Sequence, residues 1–130
     1  MHRITILIVF ILSFNTFISY NVYSNEKITN KEIVSIFKRS MIHWNINYDN
    51  LEKNKSGAAC IPWSTIDKKF VDEGIFTALG YGFNLYDLNI AKKASLEGCE
   101  RMRVAYKIKE SCKCEMILYN DEILINSKNE

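Results

Sequence analysis

Two stretches of this chain repeat their apolar residues at steps of three and four. Ile33, Ile36, Phe37, Met41 and Trp44 form one such stripe, and Thr29 with Glu32 three residues on makes a capping box ahead of it. The spacing predicts a helix over about 30–44, its stripe facing a core and Lys38 and Arg39 facing water. The second stretch runs from Asp87 to Tyr106. Leu88, Ala91, Ala94, Ser95, Gly98, Cys99 and Met102 lie on one side, and Lys92, Lys93, Glu97, Glu100, Arg101 and Arg103 lie mostly opposite. This is a long amphipathic helix, and its small residues would let the backbone approach a sheet closely.

The remaining segments are less regular. Cys112–Tyr119 alternates as a strand does, Asn120-Asp121 tolerates the positive φ of a tight turn, and Glu122–Asn126 returns, which predicts a C-terminal β-hairpin. Residues 45–59 are polar and Asn-rich without either period and read as a loop or hinge; they include the acceptor triplet Asn54-Lys55-Ser56, of use only in a eukaryotic host. Pro62 and Ser64 open a short helix, Ser64–Glu73, with Trp63, Ile66 and Phe70 inward and Gly74 at its end. Ile75–Phe83 reads as a strand in which Gly80 and Gly82 either weaken the strand or admit a close neighbour. The fold class that results is α+β: helices packed on a small antiparallel sheet.

The N-terminus carries Arg3, an apolar run from Ile4 to Phe14, and then polar residues. This is the pattern of a signal peptide, with cleavage expected after Ser24 at Val22-Tyr23-Ser24, a cut near Ser19 as the alternative, and an uncleaved anchor as a further one. A spanning helix needs about 20 apolar residues, and the run is shorter. The domain scheme is therefore 1–24 signal peptide and 25–130 one mature domain, divided into an N-terminal helix with linker (25–59) and a cysteine-stapled core (60–130). The location is secreted or periplasmic, with no stable membrane insertion after cleavage.

Export changes how the four cysteines read. Cys60, Cys99, Cys112 and Cys114 are an even set in a short exported chain, so two disulfides are expected. Joining Cys112 to Cys114 would close a very small, strained ring, so each of them pairs with one of Cys60 and Cys99. A helix climbs about 10 Å from Cys99 to Tyr106. A strand returning at about 3.3 Å per residue is level with Cys99 some three residues in. That tips the choice toward Cys99–Cys114 with Cys60–Cys112 and leaves the other pairing open. The competing use of Cys112-Lys113-Cys114 is a soft-metal or thiol-exchange site, but the spacing matches no zinc signature.

The run Ala91–Glu100 followed by Cys114–Glu122 resembles short uncharacterised exported bacterial proteins that carry an Ala-x-x-Ala-Leu-x-x-Cys helix and then a Cys-led strand ending in Asn-Asp. The likeness covers Ala91–Glu122, and Ser95 and the extra Cys112 depart from it. It implies a Cys99–Cys114 disulfide and an envelope location, and carries no catalytic residue.

Charge and candidate chemistry add exclusions. With 17 Lys+Arg against 15 Asp+Glu and no basic block, the electrostatic footprint of a nucleic-acid binder is missing. After export His43 is the one histidine left, beside Trp44. Ser64 and Cys60 are nucleophiles by type but lack a nucleophile-elbow pattern. The acid pairs Asp72-Glu73 and Glu97/Glu100 sit where helices carry solvated charge, and Gly80-x-Gly82 is no phosphate loop. No metal or cofactor is expected. Aromatic residues crowd positions 63–86, most of them destined for the core, with Tyr81, Tyr86 and Trp63 the candidates for an exposed binding patch. These readings lead to a non-catalytic envelope or secreted accessory protein that binds another envelope or host protein. A thiol-active or metal-handling protein is the alternative, and a small hydrolase the next.

Overall fold

A computed structural model describes residues 27–109 and 111–125; the signal-peptide reading and its cleavage site lie outside them. Three helices pack on one four-stranded antiparallel sheet. In chain order the elements are α1 (Asn30–His43), a 3-10 turn (Tyr48–Asn50), β1 (Ser56–Ile61), α2 (Lys68–Glu73), β2 (Leu79–Gly82), α3 (Leu88–Ala105), β3 (Lys113–Tyr119) and β4 (Glu122–Ile123). The sheet order is β2-β1-β3-β4.

Each long helix begins and ends on side-chain and backbone caps that the sequence supplies. At α1 the Glu32 N–H donates to Thr29 Oγ1 (3.2 Å) and the Thr29 N–H to Glu32 Oε2 (2.8 Å), so two of the helix's free donors are satisfied reciprocally. At α3 the Asp87 carboxylate accepts from the Ile90 N–H at 3.0 Å. Both helices end in the same device. Asn45 (φ 62°) and Lys107 (φ 50°) take the left-handed backbone, and the amides of Ile46 and Ile108 reach back to the carbonyls of Met41 and Arg103.

The sheet is the middle layer. One face packs against α1 and α2 through Ile33, Ile36, Phe37, Met41, Tyr48, Phe76, Leu79, Ile117 and Leu118; the other packs against α3 through Ala58, Cys60, Ala78, Cys99 and Cys114. An irregularity in the β1–β3 register between Gly57 and Ala58 accompanies the burial of the adjacent Ile117 and Leu118, which both join the α1-side core.

The segment expected to be a loop, 45–59, contains the first four residues of β1, an interior strand buried at all six of its positions. The division of the mature domain at 59/60 consequently falls inside that strand. Ser-Gly-Ala-Ala has neither alternation nor bulk because both faces are covered at short range. A Cβ on Gly57 would lie 2.2 Å from the Phe37 ring, and Ser56 Oγ meets Ala91 O and Ser95 Oγ. The short helix is also shorter than expected, starting at Lys68 after the Asp67 cap, and β2 begins only at Leu79. Arg39, expected to face water, instead donates to the carbonyls of Phe70, Val71 and Gly74 at 2.6–3.2 Å, closing the C-terminal end of α2. Trp44, expected in the α1 stripe, is the exposed residue just past that helix.

Candidate binding surface

The four cysteines form Cys60–Cys112 and Cys99–Cys114, with Cα separations of 5.2 and 6.0 Å. Cys60 stands opposite Cys114 in the β1–β3 register yet bonds to Cys112, so both bridges lie on the α3 side of the sheet. No thiolate is free in this state, and the Cys-x-Cys pair is used as two separate staples.

The other reactive side chains are dispersed. His43 ends α1, exposed, its ring edge-on to Trp44 at 5.7 Å. Asp72 and Glu73 pair with Lys68 and Lys69, and Glu97 and Glu100 with Lys93 and Arg103. Among the described residues, no group of three or more His, Cys, Asp and Glu side chains comes together as a metal would require. An open depression lined by Thr65, Asp67, Lys69, Phe70, Glu73 and Gly74 has its Thr65 hydroxyl donated to Pro62 O and its Asp67 carboxylate used as the α2 cap.

A polar cluster around Lys55 is buried. The Lys55 ammonium donates to the carbonyls of Tyr48 (2.9 Å) and Asp49 (3.1 Å) and stands 4.8 Å over the Tyr48 ring. The Tyr48 hydroxyl donates to Asn120 O (2.9 Å), and Asn120 exchanges two hydrogen bonds with the Lys55 backbone. Burial pushes the Tyr48 phenol well above its ordinary value, and the Asp121 and Asp49 carboxylates push it further. These bonds tie the start of β1 to the β3–β4 turn. Nothing in the sequence distinguishes Lys55 from Lys53.

The exposed apolar residues are more telling. Beyond the end of β2, an edge strand, the chain turns through Asn84 (φ 55°), and the amides of Asn84 and Leu85 donate to the carbonyls of Lys53 and Asn54. Leu85 fills the space beside Gly82, where a Cβ would come within 2.7 Å of its Cδ1. With Leu85 turned in, Phe83 and Tyr86 are left outside, 49% and 93% exposed, and Tyr81 before them and Ile90 after them in the chain are exposed as well. Met102 Sδ accepts the Leu79 N–H (3.3 Å) and covers the start of the edge, so the uncovered part is the Tyr81 end.

Of the three residues the sequence suggested for a patch, Tyr81 and Tyr86 are therefore exposed on this edge. Trp63 is not exposed with them: it is half-buried against the α1-side core and its Nε1 donates to Glu115 Oε2 at 2.6 Å. Phe83 was missed because it fits the inward pattern of a strand, and Ile90 because it stands beside the α3 stripe and outside the run of aromatics. The chain matches no family model, no curated protein and no solved structure, so its own geometry carries the functional reading.

Proposed function

We propose that this protein is an exported accessory protein of the envelope or extracellular space that acts by binding another protein through the β2 edge. The observation that carries this reading is the run Tyr81–Ile90, which leaves four large apolar side chains in solvent while its backbone is pinned to residues 53–54. A pinned turn presents its aromatic side chains at little further ordering cost, and aromatic anchors concentrate binding energy in a small area. Two disulfides in so small a chain suit an oxidising compartment, in keeping with the signal-peptide pattern of residues 1–24.

Photo-crosslinking residues placed in the native host at positions 83 and 86, with Asp72 on the distant α2 as control, test the reading. It expects a discrete adduct from 83 and 86, absent from 72, that disappears on Tyr81→Ser. No adduct at the edge, or the same adduct from all three positions, would overturn it. Export is tested by intact mass: a chain starting at Asn25 and lacking four hydrogens is expected, and a retained N-terminus or free thiols would contradict it.

A further inference from the structure

The C-terminal ends of α1 and α3 converge on a second exposed surface. Trp44 and Tyr106 each follow the last helical residue, and their ring centroids are 5.8 Å apart at 52°. The left-handed residues behind them, Asn45 and Lys107, turn the chain back so that Ile46 and Ile108 pack inward while the two rings stay out. Ile42 and Val104, two residues before the rings, are 60% and 69% exposed, and Tyr106 is 62% exposed. None of the four belongs to the buried stripe of its helix, which in α1 is Ile33, Ile36, Phe37, Ser40 and Met41 and in α3 is Ala91, Ser95 and Cys99.

The charges along the end of α3 and the segment after it are one-sided. Residues 101–113 carry Arg101, Arg103, Lys107, Lys109 and Lys113 against Glu110. Arg103 pairs with Glu100, while Arg101, Lys107, Lys109 and Lys113 are exposed without an ion pair among the described residues. Arg101 lies one helical turn before Val104, and Lys107 adjoins Tyr106. The segment that carries Val104 and Tyr106 is thus basic.

We infer that this end of the molecule docks on an anionic phospholipid surface. Trp and Tyr pair an apolar ring with a polar tip and favour the headgroup layer, where Ile42 and Val104 can enter the acyl boundary. Arg101, Lys107, Lys109 and Lys113 supply the charge that anionic headgroups attract. The cluster stands at two helix ends, a shape that a deformable lipid layer accommodates. Among the described residues no helix is long and apolar enough to cross a membrane, so the association is peripheral.

Trp44 provides the readout, because Trp63 is the only other tryptophan. The full chain carrying Trp63→Phe, its fold checked by circular dichroism, is mixed at low ionic strength with vesicles of phosphatidylcholine alone or with one third phosphatidylglycerol. Expected are a blue shift of Trp44 and quenching by bromine-labelled acyl chains on the anionic vesicles only, reversed by salt. Quenching reports the depth of residue 44 itself, so an N-terminal segment that also reached the bilayer would not mimic it. Should Trp63→Phe perturb the fold, the wild type and Trp44→Phe are compared instead, and the quenchable signal is expected only in the wild type. Arg101→Glu with Lys107→Glu should weaken partitioning at least about tenfold. Ile42→Ser with Val104→Ser should abolish the quenching. Trp44 left unquenched on anionic vesicles overturns the inference, as does partitioning indifferent to both double variants. A shift with polyglutamate but not with vesicles would overturn it in favour of an acidic protein partner.

Discussion

Replacing Gly80 by alanine tests the packing of α3 on the sheet most sharply. A Cβ on Gly80 would lie 1.7 Å from the Ser95 carbonyl oxygen and 2.5 Å from the Cys99 nitrogen, both of them helix backbone. Ordinary contact between such atoms is about 3.5 Å, so strand and helix must separate by roughly 1.5–2 Å. The helix cannot simply slide away. Ser95 is hydrogen-bonded to Ser56, Cys99 is bonded to Cys114, and Ala91, Ser95 and Cys99 are wholly buried by the close approach. Overpacking typically costs about 1–3 kcal/mol, and a backbone-to-backbone clash belongs at the upper end. For a domain of this size about 3 kcal/mol lowers Tm by roughly 10–20 °C. Gly98→Ala on the facing helix is the control. Its Cβ would sit 3.3 Å from Gly80 Cα and 3.8 Å from the Tyr81 nitrogen, a tight but tolerable fit, and alanine in a helix gains about 1 kcal/mol over glycine. That variant should stay within about 1 kcal/mol of wild type. Thermal and urea unfolding of both proteins decide the matter; a Gly80→Ala protein as stable as wild type, or less harmed than Gly98→Ala, would refute the reasoning.

Four further outcomes are expected. Lys107→Gly should stabilise the protein by about 0.5–1 kcal/mol, because an exposed lysine now holds the left-handed backbone that glycine adopts without steric cost; an unchanged urea midpoint would contradict this. Cys60→Ser/Cys112→Ser should cost about 4 kcal/mol and Cys99→Ser/Cys114→Ser about 3, since the bridges close chain lengths of 52 and 15 residues, and equilibrium unfolding ranks them. Arg39→Ala should cost about 1.5–3 kcal/mol in the same assay by freeing the carbonyls it caps at the end of α2, and Arg39→Lys should recover only part of it. The Tyr48 phenol has a folded-state pKa raised above its unfolded value near 10, so its contribution to stability is fully present below about pH 10 and is lost as pH rises beyond it. Alkaline unfolding followed by tyrosinate absorbance should show one tyrosine ionising only with unfolding, and Tyr48→Phe should remove that component.

What the sequence determined by itself were the features that depend on neighbours along the chain. The Thr29-x-x-Glu32 box, the three-and-four stripe of α3 and the Asn120-Asp121 turn act over a few residues, and each appears where its local chemistry places it. The disulfide pairing was nearly legible for the same reason, because Cys99 and Cys114 are joined by one helix end and one strand start of known rise. Tyr81 and Tyr86 were legible as surface candidates from their place beside glycines and a helix start.

Only tertiary structure decided the rest. Ser56-Gly57-Ala58-Ala59 becomes a strand because Phe37 and α3 press on its two faces and leave room for nothing larger, a requirement written in residues 20 to 40 positions away. Arg39 looks like a solvated helix residue until the end of α2 arrives beside it. Trp63 is drawn inward by Glu115, whereas Phe83 is turned outward by the anchoring of Leu85 beside Gly82. Trp44 and Tyr106, 62 positions apart, share a surface because two unrelated helices end at the same place. Periodicity marks which side of an element is apolar; which of those apolar residues remain in solvent depends on the neighbours that long-range packing brings against them.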